Sequence, residues 1–206
     1  TAAYNYDVRL ILKKWLNDLR NEQTEAGDIP VVSPDVLGTS ATSAMWCDAI
    51  VMVPWTLYEM YGEKSFLSDN YEAMKKFLSA REARVSDGLV GDGWEFGDWL
   101  AMDLEPLIDS PIGRTDVKYI VNAFYAASLD IVANVAAILE KPDEARNYRA
   151  RREKLIEDMR AEYFTPSGRL AIDTVTAQVL ALQFHIVDEK FRAKLAFDLS
   201  ENVKKH

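Results

Sequence analysis

The chain has 206 residues, 49% of them apolar and 28% charged, and carries a net charge of −9. That acid surplus argues against nucleic acid or an anionic membrane as partner, since both need neutralising Lys and Arg. The single cysteine, Cys47, excludes an internal disulfide, and no uninterrupted apolar run reaches the ~18 residues of a membrane span.

In chain order, Val8, Ile11, Leu12, Trp15, Leu16 and Leu19 recur at helical spacing and predict a helix over 7–20 with Asp7 as N-cap. Residues 21–45 read as a loop, with Gly27, Pro30, Pro34 and Gly38. A mostly apolar helix, kinked by Pro54 and stopped by Gly62, is expected over Trp46–Tyr61. An amphipathic helix follows over about Phe66–Arg84. The stretch Ser86–Thr115 shows little helical or strand period, and between Arg84 and Arg114 there are seven acidic residues and no basic one. Loops beyond ~12–15 residues are uncommon and usually functional or disordered. Disorder suits poorly a segment holding Trp94, Phe96 and Trp99.

Asp116–Leu139 predicts the longest helix, apolar nearly all round. Asp143–Phe164 predicts its opposite, a narrow stripe of Tyr148, Leu155, Ile156, Met159 and Tyr163 among Arg and Glu. After the break at Thr165-Pro166-Ser167-Gly168 come an apolar helix (about Thr174–Ile186) and a charged one (about Asp188–Lys204). Amphipathic and apolar helices therefore alternate, the rhythm of antiparallel hairpins in two layers with the apolar helices inside. The expected class is all-α, with about seven helices in one domain.

Carboxylates interleaved with flat aromatic faces suit a carbohydrate: acids bind hydroxyls and rings stack on sugar C–H faces. Other chemistries find little support. With two His and one Cys, a zinc site is excluded, and no Walker A, Rossmann or Gly-x-Ser-x-Gly pattern occurs. The spacing Asp87, Asp92, Glu95, Asp98 is not that of an EF-hand loop. Neither metal nor cofactor is expected. His185, beside Phe184 and Ile186, reads as a structural histidine.

Several short elements, in order and spacing, carry a resemblance: Tyr4-Asn5-Tyr6-Asp7, Lys14-Trp15-Leu16-Asn17-Asp18-Leu19, Trp46-Cys47-Asp48-Ala49 with Pro54-Trp55, Gly97-Asp98-Trp99-Leu100, Asn122-Ala123-Phe124-Tyr125-Ala126 and Thr176-Ala177-Gln178. Together they resemble the catalytic domain of bacterial α-L-rhamnosidases, glycoside hydrolase family 78, over essentially the whole chain. The resemblance implies an (α/α)6 barrel of six helical hairpins and inverting hydrolysis of terminal α-L-rhamnose. It places the family's general acid upstream of Thr1 and its general base downstream of His206. The 206 residues are therefore expected to be a fragment, to lack both catalytic carboxyls and to be inactive alone. Unpartnered inner helices would favour self-association.

The same resemblance implies that Asp98 and Trp99 line the sugar pocket; the plain alternative is a turn at Gly97 with Trp99 in the core. Trp46 and Asp48, where a long loop meets an apolar helix, offer a stacking face and a hydroxyl acceptor, or else a core ring and a helix-dipole partner. Trp55, nine residues after Trp46, falls on the other side of an ideal helix and reads more readily as core. Trp94 and Glu95 have no clear family counterpart; Asp92 and Asp103 are weaker candidates still. Rival readings are a glucoamylase- or trehalase-like six-hairpin glycosidase and a non-catalytic helical binding module.

Overall fold

The computed structural model describes residues 5–38, 42–91, 93–101 and 111–204. Among these residues the architecture is all-α, apart from one two-stranded hairpin. Eight helices run in the order α1 (Arg9–Glu22), α2 (Ala49–Tyr61), α3 (Ser65–Ser68), α4 (Tyr71–Glu82), α5 (Val117–Ile138), α6 (Pro142–Tyr163), α7 (Val175–Gln183) and α8 (Glu189–Val203). The strands β1 (Val85–Ser86) and β2 (Leu89–Val90) lie between α4 and α5. The chain forms two compact units, one of residues 1–83 and 128–149, the other of 84–127 and 150–206.

In the first unit, α1 buries Leu16 and Leu19. Ile11, assigned to the buried side by its spacing, is 68% exposed, as is Leu10 at 85%. Periodicity identifies the apolar side of a helix but not how much of its length is covered. Asp7 does not cap the helix as expected: Val8 stands at the N-cap. The Asp7 carboxylate instead pairs with the Arg9 guanidinium and accepts from the Arg9 N–H, which hold its pKa down at about 2. At the other end of α1, Glu22 accepts from the Ser33 hydroxyl (2.6 Å) and the Asp35 N–H (2.9 Å), and the Trp15 indole donates to the Ser33 carbonyl. These bonds fasten the following loop to the helix.

Helix α2 continues through Pro54 and stops at Gly62, whose left-handed φ of 71° lets its N–H reach the Tyr58 carbonyl. The single helix expected over Phe66–Arg84 is broken into α3 and α4. Asn70 sits at the break, buried, its side-chain amide donating to the Phe66 carbonyl (2.8 Å) and its oxygen accepting from Arg20. An asparagine that bonds backbone in this way competes with the helix ladder. Helix α4 is also buried more widely than an outer helix should be, through Tyr71, Ala73, Met74, Phe77, Leu78, Ala80 and Arg81. The loop after α1 covers its second flank. Gln23 there donates to both the Gly27 and Ala73 carbonyls, and Gly27 presses on the backbone of Lys76.

In the second unit, Arg84–Ala127 carries the hairpin and the first half of α5. The whole of α5 is long and apolar enough to cross a membrane, but 78% of its most apolar stretch is buried inside the protein. Asp116 accepts from the Tyr119 N–H at its start. Helix α6 opens with Pro142 and with Asp143 and Glu144 in its first turn, residues suited to a helix N-terminus. Its buried positions include the predicted stripe of Tyr148, Leu155, Ile156, Met159 and Tyr163.

Helix α7 is capped by Thr174, which accepts from the Ala177 N–H, and ends at Gln183, earlier than its apolar run implies. It closes in a left-handed turn at His185, where the Ile186 N–H returns to the Ala181 carbonyl (3.0 Å), and arginines bond the carbonyls around this end: Arg192 that of Leu182, Arg152 that of Phe184 and Arg160 that of Ile186. Cations on the last carbonyls satisfy bonds that the helix itself cannot make. His185 is turned out at a φ of 54°, exposed and 3.4 Å from Arg192, rather than packed in a helix. Asp188 caps α8, and the Lys190 N–H it accepts lowers its pKa.

Gly27 is the most constrained backbone position in the first unit. Its φ is 100°, and an added Cβ would lie 2.2 Å from the Lys76 carbonyl oxygen. Replacing Gly27 with Ala is expected to cost roughly 2–4 kcal/mol, combining left-handed strain with overpacking. A urea titration should show a lower midpoint with an unchanged slope.

Candidate functional site

The residues singled out from sequence fall in two segments, one in each unit. In the second unit the acidic stretch begins at the hairpin, where Val85 faces Val90 and Ser86 faces Leu89. The turn residues Asp87 and Gly88 have φ of 52° and 84°, as a two-residue hairpin requires. This hairpin interrupts what the sequence presents as one aperiodic loop. Two-residue strands are too short to produce a readable alternation.

Asn122 of α5, fully buried, fixes the hairpin. Its oxygen accepts from the Val90 N–H (2.8 Å), and its amide donates to the carbonyls of Val90 (3.2 Å) and Lys118 (2.8 Å). The side chain thus pairs with Val90 much as a neighbouring strand would. The Gly91 N–H then bonds the Arg84 carbonyl, closing the hairpin before the loop departs.

Residues 97–101 lie back against 111–113. Trp99 bridges Ile112, the Leu100 N–H donates to Pro111 (2.7 Å), and the Gly113 N–H donates to the Asp98 carbonyl (3.3 Å). Gly97, at a φ of 60°, fits because it has no side chain: a Cβ there would stand 2.9 Å from Ile112 Cγ2. Gly113 matters in the same way. A Cβ on it would lie 2.6 Å from Asp98 Cγ and Oδ1, so the missing side chain makes the space that the Asp98 carboxylate fills.

Asp98 is 6% exposed, and both its carboxylate oxygens are buried without a hydrogen-bond partner among the described residues. Burying a polar group unpaired is expensive, and native structures rarely leave one so. Next to it Trp99 is 41% exposed, and Trp94 is 59% exposed. Phe96 joins them edge to face, with ring centroids 4.5 Å from Trp94 and 5.2 Å from Trp99. Glu95 is half-buried in the same run. A buried acceptor beside open aromatic faces can take a hydroxyl-bearing ring. Asp92 and Asp103 lie outside the described residues.

In the first unit Trp46, Cys47 and Asp48 form the turn that leads into α2. Asp48 is 1% exposed; one oxygen accepts from the Met45 N–H (3.0 Å) and the other from the Ser128 hydroxyl (2.7 Å). It thus clamps the turn to α5 and makes no side-chain cap to its own helix. The Cys47 thiol donates to the Ile29 carbonyl, and burial pushes its pKa up. Trp46 and Trp55 are both half-buried, with Trp55 leaning on Tyr58 at 5.9 Å.

Asn122, Ser128 and Gly113 were not assigned roles from sequence. The first two had a signal: each is a polar interruption in the apolar run of α5. Gly113 had none, because its importance is the space it leaves for a residue fifteen positions earlier. No cluster of three or more His, Cys, Asp or Glu side chains able to hold a metal occurs among the described residues.

Two substitutions probe this arrangement. Asn122→Ala leaves the buried Val90 N–H without its partner and is expected to cost roughly 2–4 kcal/mol, read as a lower denaturation midpoint. Asp98→Asn replaces a buried carboxylate that has no partner among the described residues and should raise stability by about 1–2 kcal/mol, seen as a higher melting temperature.

Comparison with known proteins places this geometry. A family model described as the bacterial alpha-L-rhamnosidase six-hairpin glycosidase domain matches residues 1–206. An alpha-L-rhamnosidase of Alteromonas sp. (strain LOR) is 32% identical over 195 residues, covering 91% of this chain and 21% of that protein. The crystal structure of an Aspergillus terreus α-L-rhamnosidase superposes with a TM-score of 0.90 at 30% identity, covering 97% of this chain and 24% of that one. The structure of a Streptomyces avermitilis alpha-L-rhamnosidase complexed with L-rhamnose gives 0.84 at 29% identity, covering 97% and 18%. The chain therefore spans about a fifth of the length of the relatives it matches. With all of residues 1–206 matched by the family model, the chain belongs to the six-hairpin glycosidase domain family of bacterial alpha-L-rhamnosidases.

Proposed function

We propose that this chain is part of the catalytic domain of an inverting α-L-rhamnosidase and supplies residues that bind the terminal sugar. The observation that carries the reading is the Asp98 carboxylate, buried without a partner among the described residues and followed in the chain by the 41% exposed Trp99. A rhamnose hydroxyl would give that carboxylate the donor it lacks, and the indole would cover the apolar face of the ring. In the first unit Trp46 is a further candidate stacking face. Asp48 has lone pairs beyond those used by Met45 and Ser128 with which to accept a hydroxyl. Trp55, Trp94 and Glu95 rank after these four as candidate substrate contacts, each within its own unit. The relatives named alpha-L-rhamnosidase, one of them solved with L-rhamnose bound, support the choice of sugar.

In an inverting hydrolysis one carboxylic acid protonates the leaving oxygen while a carboxylate activates water on the opposite face, the two standing roughly 6.5–9.5 Å apart. We assign neither role to a residue of this chain. Asp98 and Asp48 are assigned as hydroxyl acceptors, each within its own unit, and neither as the catalyst.

The test is hydrolysis by the whole polypeptide that contains this chain. It should release p-nitrophenol from the α-L-rhamnoside, with β-L-rhamnose as the first anomer seen by NMR, and the isolated 206 residues should release none. In the whole polypeptide Asp98→Asn should lower kcat/KM roughly a hundredfold, the cost of a lost charged hydrogen bond in a desolvated site. Cleavage of the glucoside in place of the rhamnoside would instead indicate a glucoamylase-like enzyme.

A further inference from the structure

We propose that Trp94 is the platform for the leaving group: it stacks on the sugar or aryl ring to which the terminal rhamnose is attached. The inference rests on the rhamnosidase reading above and extends it from the hydrolysed sugar to the other side of the scissile bond.

Three observations carry it. First, Trp94 is the most exposed of the loop's three aromatic rings, at 59%, although its side chain is among the costliest to leave in water. Second, its position is set rather than loose. Phe96 packs against it at 4.5 Å and 69° and against Trp99 at 5.2 Å and 87°, so the three rings form one contiguous row. Trp94 and Trp99 are thus no farther apart than those two steps together, a reach suited to two linked six-membered rings. A rigid aromatic with two rotatable bonds loses little entropy when a ligand stacks on it.

Third, the polar groups are distributed unequally along the row. Rhamnose must have its hydroxyls satisfied, and the buried acceptor Asp98 adjoins Trp99 directly in the chain. Trp94 instead follows the exposed Gly93. An exposed ring across Phe96 from Trp99 suits the variable part of a substrate, which stacking recognises by its flat face and not by its hydroxyl pattern.

The experiment compares three rhamnosides on the whole enzyme: methyl α-L-rhamnoside, p-nitrophenyl α-L-rhamnoside and an α-L-rhamnosyl-glucose disaccharide. In Trp94→Ala the ratio of kcat/KM for either ring-bearing substrate over the methyl glycoside is expected to fall roughly tenfold. Trp94→Phe, which keeps a ring, should retain most of that preference. Trp99→Ala should lower all three substrates together and leave the ratio near its wild-type value. A loss confined to the p-nitrophenyl substrate would mark the platform as one for aryl groups, and a loss confined to the disaccharide as one for sugars. An unchanged ratio in Trp94→Ala, with the wild-type enzyme active on rhamnosides, would overturn this inference and leave the rhamnosidase reading standing. A wild-type enzyme that cleaves none of the three would overturn both.

Discussion

A helix buried on nearly every side has few ways to hold the polypeptide around it. Its backbone bonds are internal, and apolar contacts alone tolerate sliding. Helix α5 meets this constraint with two buried polar side chains in an otherwise apolar run. In the second unit Asn122 pairs with both backbone groups of Val90 and so sets where the acidic, aromatic loop begins. In the first unit Ser128 bonds the Asp48 carboxylate and sets the turn bearing Trp46. Each segment that carries candidate sugar contacts is therefore fixed within its own unit by a directional bond. Such bonds are worth more in a dry interior than at a surface, and breaking one there leaves a partner unsatisfied.

The loop itself combines order with an unmet demand. Gly97 and Gly113 let the chain fold back tightly enough to bury Asp98, and the bridge between Trp99 and Ile112 keeps it there. Residues 97–101 are bonded back to 111–113, yet the enclosed carboxylate meets no donor among the described residues. Stability would be served by an apolar or neutral residue at that position. A group that costs free energy in the free protein and is well placed to recover it from a ligand hydroxyl is what a preorganised binding site requires.

Where sequence and structure diverge, the causes are specific. Phe66–Arg84 reads as one helix because its apolar spacing is continuous, but Asn70 takes the Phe66 carbonyl for its side chain and splits it. The run Thr174–Ile186 reads as helix to its end, but a left-handed turn at His185 returns the Ile186 N–H to Ala181, and arginines on α6 and α8 take up nearby carbonyls. Ile11 has the spacing of a core residue and lacks a covering partner. In each case the apolar spacing was read correctly, and what particular side chains bond or pack against decided the outcome.

The sequence by itself determined the all-α class, the extents of α5, α6 and α8 to within a residue or two, and the short elements that carry the family resemblance. These are local properties: helical period and capping act over a few neighbouring residues. It also marked Asp98, Trp99, Trp94, Trp46 and Asp48 as the residues to watch. Only the tertiary structure decided their circumstances. It made Asp48 a bonded clamp, through a serine eighty positions away, and Asp98 a buried carboxylate without a partner. Whether a carboxylate is satisfied depends on which donors the fold brings to it, and no local pattern encodes that.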